Sequence, residues 1–296
     1  MKILRVQGQD GQFRWLIERG PDRVALPVGG SLGSLLSRTR EDLEDHLAAI
    51  DGAAIDGSIV APVDDDTEVW AAGVTYKVSR EAREAESEQS ADVYRQIYEA
   101  DRPELFFKSI GWRTIGTDAS VGIRRDSRWD VPEPELAVVV NAAGEIVGYT
   151  LCNDVSSRSI EGANPLYLPQ AKMYAGSCSL GPAITLASTI PDPYGLTLSV
   201  SIDRDGTSVY AAEASTDLLD RSLQELVDWL FAAQEFPRGV VLATGTCLVP
   251  PESVTLEVGD VVTIRIDELG TLTNTVQEVG SVVGAGRERR SAQSEA

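Results

Sequence analysis

The segment from Asp130 to Lys172 constrains this chain more than any other, because it ties apolar runs to closely spaced acids. It opens as DVPEPELAVVV, continues as GYTLCNDVSSRSIEG and closes as NPLYLPQAKMY. Side chains two apart in a strand point to the same face, so Glu133 and Glu135 aim two carboxylates at one point. Pro134 between them cannot donate to a sheet ladder, which suits the start, edge or bulge of a strand. The run Leu136 to Val140 has the continuous apolar character of a buried strand. A second strand, Ile146 to Cys152, follows the turn Ala142-Ala143-Gly144-Glu145 and ends in Asn153-Asp154. Two adjacent strands of this kind bring a third carboxylate, Asp154, to the first pair.

Three converging carboxylates repel one another and require a positive partner. No His or Cys stands with them in the spacing, and all-oxygen ligation points to a hard ion, Mg²⁺ first, with Mn²⁺ or Ca²⁺ behind it. On the pattern alone, Glu133 and Glu135 also suit a solvated strand face, and both readings stay open at this point.

A wider set of motifs resembles the fumarylacetoacetate hydrolase superfamily, from Val69 to about Thr275. The matching stretches are GVTY at 73–76, PELFFK at 103–108, PEPELAVVV at 132–140, GYTLCND at 148–154, Arg158, Lys172 and TGT at 244–246. The resemblance implies a mainly β (α+β) fold of rolled β-sheets with a small N-terminal domain, working as a homodimer or homotetramer. Within the superfamily, RPELFFK, VPEPELA, SSRSIEG and NPLYLPQAK are most similar to the sugar-acid dehydratase branch, lyases of oxidative pentose degradation. One position departs from the hydrolase pattern. The hydrolases carry a histidine three residues after the GxxY tyrosine, and here Ser79 follows Tyr76 at that spacing. The only histidine, His46, lies outside the module, so acid–base work falls to Lys, Glu, Asp or Tyr.

What the branch implies is Mg²⁺-dependent conversion of 2-keto-3-deoxy-D-arabinonate, equally D-xylonate, to 2,5-dioxopentanoate. The metal would sit on Glu133, Glu135 and Asp154, with Lys172 as base at C3 and Glu104 protonating the departing C4 hydroxyl. Lys108, Arg158, Thr246 and Tyr76 would hold the substrate; Arg158 also suits a plain ion pair, and Tyr76 and Glu161 suit structural roles equally well. Acylpyruvate hydrolysis or oxaloacetate decarboxylation is the alternative within the superfamily, and a catalytically silent metal-binding oligomer the alternative outside it.

Charge excludes several other classes. The 296 residues carry 46 acids against 26 basic residues, a net charge of −20 with a pI near 4.4. Such a surface has no general affinity for nucleic acid or acidic membranes. Four of the basic residues are lysines (Lys2, Lys77, Lys108 and Lys172), and two of these fall inside the motifs above. An acidic, lysine-poor composition suits a halophilic cytoplasm better than the plainer alternative, a GC-rich mesophile. Cys152, Cys178 and Cys247 have neither disulfide nor zinc spacing and read as reduced core thiols. No apolar run reaches membrane-spanning length, and the N-terminus lacks a secretory core, so a cytoplasmic enzyme is expected.

In chain order, residues 1–61 read as an N-terminal α+β domain. KILRVQ and FRWLIER form a hairpin over QDGQ, and 31–36 and 40–50 have helical spacing. His46 falls on the second of these helices as a surface residue. Residues 62–68 form a linker and 69–285 the catalytic domain. Within it, 79–100 reads as a helical pair and, by the resemblance, a lid. Ser215 or Thr216 caps an expected helix running to Phe236. The tail 286–296 has nothing to bury and is expected to be disordered.

Overall fold

The structure is a computed structural model and describes residues 1–52, 54–76 and 100–281. In order, the strands are β1 (Lys2–Gln7), β2 (Phe13–Arg19), β3 (Asp22–Ala25), β4 (Ser58–Val60), β5 (Glu68–Gly73) and β6 (Glu104–Ile110). Next come β7 (Ser120–Arg124), β8 (Asp130–Val131), β9 (Pro134–Val140), β10 (Ile146–Asp154), β11 (Ser156–Ser157) and β12 (Cys178–Leu186). The set ends with β13 (Thr197–Arg204), β14 (Thr207–Ser215), β15 (Val240–Ala243), β16 (Val261–Ile266) and β17 (Gly270–Val279). Five α-helices accompany them among the described residues: α1 (Leu32–Leu36), α2 (Arg40–Ala49), α3 (Arg158–Ala163), α4 (Leu168–Lys172) and α5 (Leu223–Phe231). The chain is therefore mostly strand, as its alternating patterns predict.

Two sheets organise the molecule. The larger has ten strands in the order β3-β2-β1-β12-β10-β9-β15-β5-β6, with β4 joined to β1. The smaller runs β14-β13-β16-β17-β7. Alternation divides the apolar residues of β9 between two cores. Leu136, Val138 and Val140 face the small sheet, meeting Val200, Ile202, Val262, Ile264 and one side of α5. Ala137 and Val139 face the other way, with Ile3, Ile17 and the leucines of α1 and α2. Burying both faces explains why 136–140 reads as an uninterrupted apolar run.

The N-terminal segment is built into this sheet rather than set beside it. Strand β1 pairs with β12, and Val63 in the expected linker is fully buried in the second core. The boundary read at 62–68 does not separate two cores. The hairpin of 1–19 and both N-terminal helices form where their patterns place them, α1 capped by Ser31 and α2 by Thr39. The long helix expected from Ser215 to Phe236 is shorter. Thr216–Leu218 is a single 3-10 turn, and α5 starts only after Ser222, whose hydroxyl accepts from the Glu225 amide at 3.1 Å. Two capping serines lie seven residues apart, and the second takes the helix. The expected lid at 79–100 lies almost wholly outside the described residues, and the tail wholly so.

Candidate active site

The acidic triad is assembled by register. In the β9–β10 pair, Glu135 stands opposite Cys152 and Pro134 opposite Asn153. Beyond the last pair, the Asp154 amide donates to the Glu133 carbonyl at 2.9 Å. Glu133, Glu135 and Asp154 therefore share one face, and one carboxylate oxygen from each lies within 4.8 Å of the others. All three are about 1% exposed. Pro134 opens β9, the position where its missing N–H costs the ladder least.

Three cations surround these acids. Lys172, at the end of α4 and 3% exposed, donates to Glu133 Oε2 and stands 3.3 Å from Asp154 Oδ2. Lys108 on β6 is fully buried behind Asp154, with which it forms an ion pair. Its remaining protons go to backbone, with Lys172 O at 2.6 Å and Val155 O at 3.2 Å. Arg158 on α3 reaches Glu161 Oε2 at 3.0 Å and Glu133 Oε1 at 3.5 Å. Glu135 has less positive company, and its Oε2 accepts a hydrogen bond from the Gly245 amide at 2.7 Å. Burial, followed by the charges of Asp154 and Glu133, pushes its carboxyl well above the usual range.

The backbone that presents Gly245 is locked from two sides. The Thr75 hydroxyl donates to the Thr244 carbonyl at 2.6 Å, and the Thr244 hydroxyl donates to Leu136 O at 2.8 Å. Gly245 has φ +90°, and a Cβ on it would collide with the Thr75 side chain, so glycine is required there. The turn after β5 carries Val74 at φ +57°. For a β-branched residue this costs about 1–3 kcal/mol, supplied by the packing that holds the turn in place.

The acids open into a cleft of about 280 Å³, water at its mouth included, lined further by Glu104, Phe106, Leu168, Lys172, Gly245 and Thr246. Glu104 and Phe106 share a face of β6, and Leu168 and Lys172 share a face of α4. Of the residues expected to bind substrate, Thr246 lines the cleft. Lys108 does not, because it is spent on Asp154 and two carbonyls. Arg158 is 4% exposed and Tyr76 1% exposed, and neither reaches the cleft wall. Burial, then the charges of Cys247 and Glu135, raise the Tyr76 phenol far above its ordinary value, so it stays protonated. Phe106, Leu168 and Gly245 fall inside the quoted motifs but were given no part in the site. The period-2 spacing Glu104-Phe106-Lys108 was the pattern that could have revealed the first of them. His46 sits half-buried on α2, apart from the site, and all three cysteines are free.

The family model described as fumarylacetoacetate (FAA) hydrolase C-terminal matches residues 68–277. This chain belongs to the fumarylacetoacetate hydrolase family. Among curated relatives of the family, a probable 2-keto-3-deoxyxylonate dehydratase of Haloferax volcanii is 46% identical over 257 residues, 87% of this chain and 86% of that protein. A 2-dehydro-3-deoxy-D-arabinonate dehydratase of Saccharolobus solfataricus is 37% identical over 252 residues, 82% of this chain and 84% of the relative. Among solved structures, 2-keto-3-deoxy-D-arabinonate dehydratase complexed with magnesium and 2,5-dioxopentanoate superposes with a TM-score of 0.83 at 32% identity. That match covers 95% of this chain and 100% of the other. Among the described residues, no helix is long and apolar enough to cross a membrane.

Among the described residues, two buried acids lie outside this site, Asp260, which Arg204 pairs at 2.8 Å, and Asp130. Asp130 on β8 is 3% exposed, and burial pushes its carboxyl up to about 6, with nearby Ser127 and the Arg124 backbone offsetting part of the rise. A carboxyl in the unfolded chain titrates near 4, so between about pH 4 and 6 the native state holds this proton more tightly. Its contribution to stability is therefore full below about pH 4 and lost as pH rises through about 6. Asp130→Asn removes the ionisation, and should raise stability at pH 8 by roughly 1–2 kcal/mol while leaving it little changed at pH 4. Thermal melts of both proteins across pH 4 to 8 would show the two curves separating as pH rises.

Proposed function

We propose that this protein is a magnesium-dependent hydro-lyase that converts a 2-keto-3-deoxypentonate to 2,5-dioxopentanoate and water. The observation carrying this reading is the placement of Lys172. Its ammonium bridges two of the three converging carboxylates and faces the cleft that Glu104 also lines. The sequence relatives are named for this dehydration, and the solved relative holds both the metal and the product.

The donor set fits a hard dication. Its oxygens are carboxylates, and the raised Glu135 carboxyl marks a site short of positive charge. With Lys172 neutral as a base and Glu104 protonated as an acid, four carboxylates face only Lys108 and Arg158. One divalent ion balances that remainder. Magnesium bound there would supply positive charge beside the substrate's carboxylate and 2-oxo oxygens, and offset the two carboxylates that otherwise hold Lys172 as an ammonium.

Lys172 removes a proton from C3, and the freed electron pair forms the C3–C4 double bond as the C4–O bond breaks. Glu104 gives its proton to the departing oxygen, so water leaves. The unsaturated product then shifts its hydrogens to reach the 5-aldehyde. Thr246, on the cleft wall, is placed to bind a substrate hydroxyl. Lys108 is assigned to hold Asp154, and Arg158 to hold Glu133, in place of direct substrate contact. The test is purified protein with Mg²⁺ given 2-keto-3-deoxy-D-arabinonate, an acylpyruvate and oxaloacetate, with products read by NMR. Turnover of the acylpyruvate alone would overturn the dehydratase reading.

We place the enzyme in the cytoplasm as a homo-oligomer, with Trp112 (67% exposed) and Leu166 (84%) as apolar surface that a second copy could cover. The −20 charge is read as an adaptation to salt, in keeping with the Haloferax relative. Lowering KCl from about 1 M to about 0.1 M extends the Debye length from about 3 to about 10 Å and strengthens self-repulsion. The melting temperature should fall over that range. An unchanged value would favour a mesophilic origin of the charge.

A further inference from the structure

Glu104 begins β6 at the edge of the large sheet, while Glu135 lies on β9, three strands away in the order β9-β15-β5-β6. At about 4.8 Å per strand, the two backbones stand roughly 14 Å apart. Yet the Glu104 side chain lines the same cleft as Glu133, Glu135 and Lys172. The residue directly opposite Glu104 on β5 is Gly73. A Cβ at position 73 would overlap Glu104 Oε2 and stand only 2.8 Å from Cδ and 3.4 Å from Cγ. The carboxylate therefore lies flat across β5, in the trough that the missing side chain leaves, and so leans inward from the edge strand.

Gly73 is not among the glycines with positive φ, so its backbone does not itself demand glycine. What excludes alanine is the tip of one flexible side chain. Swinging that tip aside costs the fold little and moves the carboxylate away from the cleft centre. We propose that Gly73 is a positioning residue for Glu104, keeping open the path by which an edge-strand acid reaches the C4 hydroxyl. This rests on the reading of Glu104 as the acid of the dehydration.

The experiment separates the two halves of the reaction. Loss of the C4 hydroxyl needs the acid, whereas exchange of the C3 hydrogens of 2-oxobutyrate in D₂O needs only the base and the metal. Gly73→Ala in the full-length, magnesium-loaded protein should lower kcat for 2-keto-3-deoxy-D-arabinonate by about 10- to 100-fold, a part of what general acid catalysis contributes. C3 exchange and the magnesium titration should stay near wild type, and the melting temperature should be unchanged or higher. Adding Glu104→Asp shortens the acid by one methylene, and the double variant should recover several-fold in kcat over Gly73→Ala alone. Dehydration at the wild-type rate in Gly73→Ala, beside a slow Glu104→Gln, would overturn the positioning role only. A Glu104→Gln protein at the wild-type rate would remove Glu104 as the acid, and the proposal with it. Equal loss of exchange and dehydration in Gly73→Ala would mean a general disturbance and would also overturn it.

Discussion

Lys172→Arg is expected to fold, to retain much of its magnesium binding and to lose about 10² to 10⁴ in kcat. Arginine keeps a positive charge beside Glu133 and Asp154, so the two buried carboxylates are not left uncompensated. Guanidinium stays protonated in proteins, however, and cannot accept the C3 proton. Lys172→Ala should lose as much in rate and more in stability, because it strips the acids of their partner. The direct readout is C3 exchange of 2-oxobutyrate in D₂O, which requires no leaving group. Exchange by Lys172→Arg at the wild-type rate would sink the assignment of the base and pass that role to Glu104.

Removing the metal should be as severe. EDTA is expected to abolish turnover, with Mg²⁺ or Mn²⁺ restoring it. Because the ion binds the folded site, added Mg²⁺ should also raise the melting temperature, by a free energy of about 2.7 kcal/mol at a hundredfold excess over Kd. Glu135→Gln gives the cleanest variant. The amide oxygen can still accept the Gly245 N–H, which keeps the loop 244–246 in place. The ligand charge is lost, so turnover and the magnesium-dependent melting shift should fall together. A rigorously metal-free sample at full activity would contradict the whole ligand assignment.

The convergence of the three acids was legible in the sequence because period-2 alternation is a local rule. Glu133, Glu135 and Asp154 needed only two neighbouring strands and a short turn to meet. The roles of Lys108 and Arg158 were not legible on those terms. Both sit among motif residues, but tertiary packing brings Lys108 to Asp154 and the carbonyls of Val155 and Lys172, and brings Arg158 to Glu133; only the Arg158–Glu161 pair, three residues apart on one helix, is local. The joining of the N-terminal strands to the main sheet was hidden for a similar reason. Strand β1 meets β12 across some 180 residues of chain, with Ile3 opposite Ile184. No composition shift marks such a contact. The helix expected from Ser215 or Thr216 is shorter because Ser222, a second serine cap, starts it seven residues later.

The same alternation has a consequence for how the chain finds its pairing. A slip of β9 by one residue would turn Glu133 and Glu135 towards the small sheet, among Val200, Ile202, Val262 and Ile264. There they would be carboxylates in hydrocarbon, away from Lys172 and Arg158. In most central strands, two-sided burial leaves register weakly marked, since either face accepts an aliphatic residue. Here the triad of acids also makes the wrong alignment costly, so the candidate site itself marks the register of the middle of the sheet.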